Sequence, residues 1–231
     1  MQYPYALTGE QVVARQRSIL YQVYLWMTAG LLVTGAVAGI TARSQAMLDF
    51  IFGNIVVFFV LLIVQIGLVV TLAARIQTLS AGAATAIFVG YAALNGLTLS
   101  AILLYYTKAS IASTFFITAG TFAIMSVIGY TTKRDLSGVG TIALMGLIGI
   151  ILASIVNIFL HSAGIYWVIS FLGVIIFVAL TAADTQKIKR LIAQTDDASA
   201  PKVAIMGALT LYLDFINLFL FLLRIFGQAR N

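Results

Sequence analysis

The sequence predicts an all-α, polytopic membrane protein with seven transmembrane helices. Of the 231 residues, 62% are hydrophobic and only 9% are charged, whereas a soluble domain is typically about half apolar and about a quarter charged. A soluble protein of this size exposes too much surface to hide so much apolar material. The composition therefore excludes an ordinary soluble enzyme and a disordered chain.

Seven continuous apolar runs have the length that a bilayer requires. A hydrocarbon core about 30 Å thick is crossed by about 20 helical residues, and the strands of a membrane β-barrel are about half as long and alternate in polarity. The runs therefore predict helices rather than strands. Their expected bounds are residues 21–41, 51–73, 84–105, 111–130, 139–160, 163–183 and 203–223.

The seven spans are expected to form one domain, residues 21–226. Residues 1–20 are polar and are expected to form a cytoplasmic tail, and residues 227–231 form a short C-terminal tail. The connection after the sixth span differs from the others, because residues 186–192 continue the span as an amphipathic helix. The other connections are mostly short, so we expect no large domain outside the membrane.

The basic residues predict the orientation of the chain. Nine fall on the side of the N-terminus and four on the opposite side, which places the N-terminus in the cytoplasm and the C-terminus outside. The nine are Arg15, Arg17, Arg75, Lys133, Arg134, Lys187, Lys189, Arg190 and Lys202, and the four are Arg43, Lys108, Arg224 and Arg230. Such short clusters report topology, so the expected partner is the lipid bilayer and not a nucleic acid.

Metal centres built from soft ligands are excluded. The chain has no cysteine and one histidine, so it has neither a thiolate site nor a multi-histidine zinc site. Disulfides and cysteine nucleophiles are excluded for the same reason.

Two aspartates mark the candidate functional site. Asp214 lies inside the seventh run, and Asp184 lies at the cytoplasmic end of the sixth. A charged side chain at membrane depth costs roughly 2.5–3.5 kcal/mol on insertion scales, so it needs a proton, a partner or water. If the sixth helix continues past residue 183, both aspartates fall in the cytoplasmic half and lie on neighbouring helices. Arg75, at the cytoplasmic end of the second span, is the nearest expected counter-ion.

Polar residues on the same or adjacent helical faces are expected to support the pair. They are Asn217, Thr210, Thr181 and Asn157. Two carboxylates that meet exchange protons as a coupled pair, and a salt bridge to Arg75 that opens and closes with them would make a pH switch. Asp184 and Asp214 would also hold calcium weakly, which suits permeation because an ion must leave as well as enter. The residues alone leave calcium, sodium, potassium and protons open.

Four motifs give the chain a resemblance to the Bax inhibitor-1 family (transmembrane Bax inhibitor motif proteins) over about residues 21–226. The motifs are ALNGLTLS at 93–100, GYTTKRDLS at 129–137, DTQKI at 184–188 and GALTLYLDFINLF at 207–219. The resemblance implies a seven-helix fold with the last helix central, a location in the bacterial inner (plasma) membrane, and a pH-sensitive calcium leak. Calcium is then the permeant ion, and no cofactor is implied.

The resemblance also assigns the site residues. The paired aspartates of the family fall on Asp184 and Asp214, and its latching arginine falls on Arg75. The residue before the first aspartate is often tyrosine in relatives and is Ala183 here. This difference removes a hydroxyl beside the carboxylate and is expected to alter its titration.

Other functions compete with the cation leak. The chain could be an interaction protein that acts on a membrane protease, through residues 1–16 and 187–202, or a small-anion carrier for acetate held by Arg75. Both are implied by bacterial members of the family. An intramembrane aspartyl protease is disfavoured because Leu-Tyr-Leu precedes Asp214 and Ala183 precedes Asp184, so the Gly-x-Gly-Asp and Tyr-Asp elements of such proteases are absent. We therefore expect no enzymatic activity.

Overall fold

The computed structural model describes residues 9–230, and within this range seven helices are long and apolar enough to cross a membrane. They confirm the predicted fold class. In chain order the helices are α1 (Gly9–Thr41), α2 (Gln45–Phe52), α3 (Ile55–Arg75), α4 (Ala81–Tyr105), α5 (Lys108–Thr131), α6 (Ser137–Leu160), α7 (Ala163–Ala193) and α8 (Ala200–Phe226). Residues 1–8 and 231, which belong to the expected tails, lie outside the described residues.

The first helix is longer than the apolar run that predicted it. α1 begins at Gly9, so residues 9–20, expected as part of a polar tail, are helical. Its 33 residues span about 50 Å, which exceeds the thickness of the hydrocarbon core. Arg15 fastens the extra turns to the connection between α7 and α8, because its guanidinium donates to the carboxylate of Asp197 and to the carbonyl of Thr195.

The second span starts later than expected because a separate short helix precedes it. Ile51 belongs to α2, which buries Leu48 and Ile51 and is too short, at eight residues, to cross a bilayer. The chain then turns at Gly53, and the side-chain oxygen of Asn54 accepts the backbone N–H of Val56 at 3.0 Å. This N-cap starts a new helix, so the predicted start of the span at residue 51 was wrong.

The sixth span continues into the amphipathic segment, as the sequence predicted. α7 ends at Ala193 and α8 begins at Ala200. We call the end of the bundle at which α7 joins α8 the basic end. Asp184 lies nine residues before the end of α7 and Asp214 lies fourteen residues into α8, which corresponds to about 14 Å and about 21 Å along the helix axes. Asp214 is therefore near the midpoint of its helix, deeper than expected.

The last helix is the centre of the bundle. In its most apolar stretch 67% of the residues are buried, against 11–33% in the other six spans of residues 9–230. α8 packs against α7, α1, α5 and α4, and the side chains of Leu211, Tyr212 and Leu218 are completely buried. The polar groups of α8 must therefore find partners inside the protein.

The helix α6 lies at the edge of the bundle. It packs chiefly against α7, and most of its large side chains, such as Ile142 and Phe159, are exposed. On one side, α6 faces the pair formed by α7 and α8. The space between these three helices holds the candidate site.

Candidate functional site

The structure brings Asp184 and Asp214 into one cavity. The cavity has a volume of about 390 Å³ and is lined by residues of α6, α7 and α8. The proximity that the sequence predicted from the helix order is therefore present in the fold.

Asp214 is the most unusual group in this cavity. Its side chain is only 4% exposed, and its Oδ2 atom is buried without a hydrogen-bond partner among the described residues. An ionised carboxylate in such a position carries a desolvation cost of several kcal/mol. This oxygen therefore needs a proton, a cation or a water molecule as its partner.

Two of the four supporting residues lie in the same cavity, and two do not. Thr210 and Asn217 line the cavity with the aspartates. Thr181 is buried outside this lining, and its hydroxyl donates to the carbonyl of Phe177 within α7. Asn157 lies near the far end of α6, where its side chain accepts the backbone N–H of Ser162 at 3.0 Å. Both side chains therefore form hydrogen bonds with the backbone of the helices and do not contribute to the cavity of the aspartates.

Arg75 is not at the pair in this conformation. It is the last residue of α3 and its side chain is exposed, and neither ion pair formed among residues 9–230 includes it. Lys202, the third residue of α8, donates to the carbonyl of Gln77 at 2.9 Å. The end of α3 is therefore level with the start of α8, about 18 Å along the helix from Asp214. The salt bridge between Arg75 and the aspartate pair stays a prediction.

The opposite face of α8 carries a buried hydrogen-bond cluster. The Tyr212 hydroxyl lies 2.7 Å from the hydroxyl of Thr34 and accepts the side-chain amide of Asn95 at 2.8 Å. Thr34 in turn contacts the carbonyl of Ala92 at 2.8 Å, and the Tyr91 and Phe88 rings pack edge-on against Tyr212. This cluster fixes α8 against α1 and α4 on the side of the helix opposite to Asp214.

We predict that Tyr212→Phe lowers the thermal stability of the protein in detergent. The change leaves the buried amide of Asn95 without its acceptor, which costs about 0.5–2 kcal/mol in a membrane protein. Tyr105→Phe is the matched control, because Tyr105 is exposed. Equal unfolding temperatures for the two variants would contradict the role given to Tyr212.

Sequence reasoning missed the α6 wall of the cavity and the partner cluster of Tyr212. Ser154, Leu144 and Leu147 of α6 line the cavity, but one polar residue among apolar ones gives no signal of its own. For Tyr212 a signal was present, because the residue is two positions from Asp214 and therefore lies on the other side of the helix.

Comparison with known proteins agrees with the four motifs. A family model described as inhibitor of apoptosis-promoting Bax1 matches residues 16–231. The chain belongs to the Bax inhibitor-1 family. The inner membrane protein YbhL of Escherichia coli K12 is similar to this chain, with 55% identity over 217 residues, 93% of each chain.

Two further relatives come from distant bacteria. A protein of Borreliella burgdorferi is 45% identical over 228 residues, covering 97% of this chain and 98% of its own length. A protein of Deinococcus radiodurans is 41% identical over 227 residues, covering 98% of this chain and 96% of its own length. The family model at residues 16–231 covers positions 184 and 214, most of the first span and all of the other six.

Proposed function

We propose that this protein is a pH-sensitive cation leak, chiefly for calcium, in the bacterial inner membrane. The location follows from the similarity to an inner membrane protein, and the basic residues favour a cytoplasmic N-terminus and an outside C-terminus. The observation that carries the proposal is the unpartnered oxygen of Asp214 in a cavity that Asp184 also lines.

The chemistry of the cavity favours a cation over an anion. Its polar lining consists of two carboxylates, the hydroxyls of Thr210 and Ser154, and the amide of Asn217, and no lysine or arginine is part of it. An acetate ion would meet two carboxylates and no counter-charge. A hard cation would find the oxygen ligands that calcium uses. The acetate carrier is therefore the weaker candidate.

The site is suited to transient binding. Among residues 9–230 no group of three or more histidine, aspartate or glutamate side chains comes together. Calcium takes 6–8 oxygen ligands, so a site with two carboxylates leaves much of the ion's shell to hydroxyl, amide and water. An ion held in this way dissociates readily, and a leak requires such weak holding.

Protons and cations compete for the same two carboxylates in this proposal. A proton on the pair removes the negative charge that holds the cation, so acid is expected to suppress the leak and alkali to favour it. The exchange would shift the balance between two packings of the bundle. A contact of the pair with Arg75 would belong to the second packing, in which the end of α3 moves toward the aspartates.

Calcium entry into proteoliposomes tests this function. We expect wild-type protein to admit calcium above the level of empty vesicles, and the rate to rise from acidic to alkaline pH. An acetate-uptake assay on the same vesicles examines the competing carrier. Calcium entry equal to that of empty vesicles at every pH would contradict the proposal.

A further inference from the structure

A second cavity adjoins the aspartate cavity at the basic end of the bundle. It has a volume of about 470 Å³ and is lined by residues of α6, α7 and α8. The two cavities share the lining residues Leu144, Leu180, Asp184 and Thr210. Asp184 therefore lies at their junction, and the second cavity extends from it to Ser137 and Arg190 near the basic end.

Two cationic side chains, Lys187 and Arg190, line this opening. Arg190 is already engaged, because its guanidinium donates to Asp135 at 2.7 Å and to the side-chain oxygen of Gln186 at 2.6 Å. Hydrogen bonds from Ser137, together with Arg190, hold the pKa of Asp135 at about 2. This ion pair therefore stays formed through the physiological pH range.

Lys187 is in a different situation. Its side chain is exposed, and neither ion pair formed among residues 9–230 includes it. It follows Asp184 by three residues, slightly less than one helical turn, so the two residues lie on the same face of α7, and both line the second cavity. The other polar residues of the opening are the uncharged Ser137 and Thr141 of α6 and Thr210 of α8. Lys187 is thus the positive charge between the basic end and Asp184 that forms no ion pair among residues 9–230.

We propose that ions reach the aspartates from the basic end between α6 and α7, and that Lys187 determines which charge enters. This inference rests on the proposed function in that the entering ion is a cation. The ammonium group repels an incoming cation and competes with it for Asp184. Lys187 therefore limits the leak, and the route does not involve Arg75 or α3.

Single thiols test the route without any ion flux. The chain has no cysteine, so Thr141→Cys, Thr210→Cys and Ser162→Cys each introduce the only thiol. Membrane-impermeant cationic and anionic thiosulfonates are applied to vesicles of known orientation. We expect the thiols at 141 and 210 to react from the side of the basic end and the thiol at 162, at the start of α7, from the opposite side. Protection of both 141 and 210 from that side would overturn the route.

The charge preference of the route tests Lys187 itself. In the Thr141→Cys and Thr210→Cys backgrounds, we expect Lys187→Gln to raise the ratio of cationic to anionic reaction rates by about threefold to tenfold, as the loss of one nearby charge implies. Lys133→Gln is the matched control, because it removes the same charge from the exposed loop at the same end. A ratio that Lys187→Gln leaves unchanged would overturn the proposal.

Calcium flux separates this inference from the proposed function. We expect Lys187→Gln to increase calcium entry by a similar factor and Lys133→Gln to leave it unchanged. A shifted thiol ratio without calcium flux in any variant supports the route and the role of Lys187 and contradicts the calcium leak. Wild-type flux with an unshifted ratio supports the leak and overturns the role of Lys187.

Discussion

Asp214→Asn is expected to abolish the pH dependence of calcium entry. The amide has nearly the same shape as the carboxyl group, but it neither takes up nor releases a proton. In wild-type protein one protonation equilibrium allows the rate to change by up to about tenfold per pH unit, and in the variant we expect a change of less than about twofold. The measurement is calcium entry into proteoliposomes across acidic, neutral and alkaline pH.

The control for this variant is Asp49→Asn. Asp49 lies on α2 and is exposed, and its carboxylate accepts the side-chain amide of Gln45. The change removes the same charge from the protein without touching the cavity, so we expect the wild-type pH profile. A full pH response in Asp214→Asn would exclude Asp214 as the sensor.

Gly129→Ala is expected to cause a large loss of stability. A Cβ atom at Gly129 would come within 3 Å of three backbone atoms of Ala182, including its carbonyl oxygen, so α5 and α7 cannot keep their present approach. Overpacking of this kind costs about 1–3 kcal/mol, and a backbone neighbour cannot move aside as a side chain can. The unfolding temperature in detergent measures the loss.

Gly120→Ala provides the matched control in the same helix. A Cβ atom there meets nothing within 4 Å, and replacing a helical glycine by alanine gains roughly 0.5–1 kcal/mol. We therefore expect opposite signs for the two variants. Because Ala182 is two residues from Asp184, Gly129→Ala is also expected to shift the carboxylate and reduce calcium entry. Equal stability of the two variants would show that the contact at Gly129 has no effect.

The sequence predicted the spans well because a bilayer imposes a length and an apolar composition on each. It was less informative where these constraints are absent. The eight residues of α2 are too few for a span and too apolar to look like a loop. The polar start of α1 looked like a tail because its contact with Asp197 joins distant parts of the chain.

The candidate site was likewise predicted in part. Asp214 stood out because a carboxylate among apolar residues is costly, and Asp184 followed from the order of the helices. The lateral neighbours could not be predicted, because helical spacing gives the face of a residue but not the helix that this face meets. Thr181 lies outside the cavity, and Arg75 forms no ion pair with the aspartates among residues 9–230. For Lys187, the sequence predicts only an amphipathic extension of the sixth span.

In the proposed function, the Asp184–Asp214 pair exchanges protons for a cation. Infrared difference spectroscopy of the protein in bilayers, with calcium added at acidic pH, tests it most directly. We predict that calcium converts carboxylic acid absorption into carboxylate absorption in wild-type protein and that the Asp184→Asn, Asp214→Asn double variant lacks this change. The same calcium-induced change in the double variant as in wild type would contradict the proposed exchange. So would the absence of any carboxyl change in wild type.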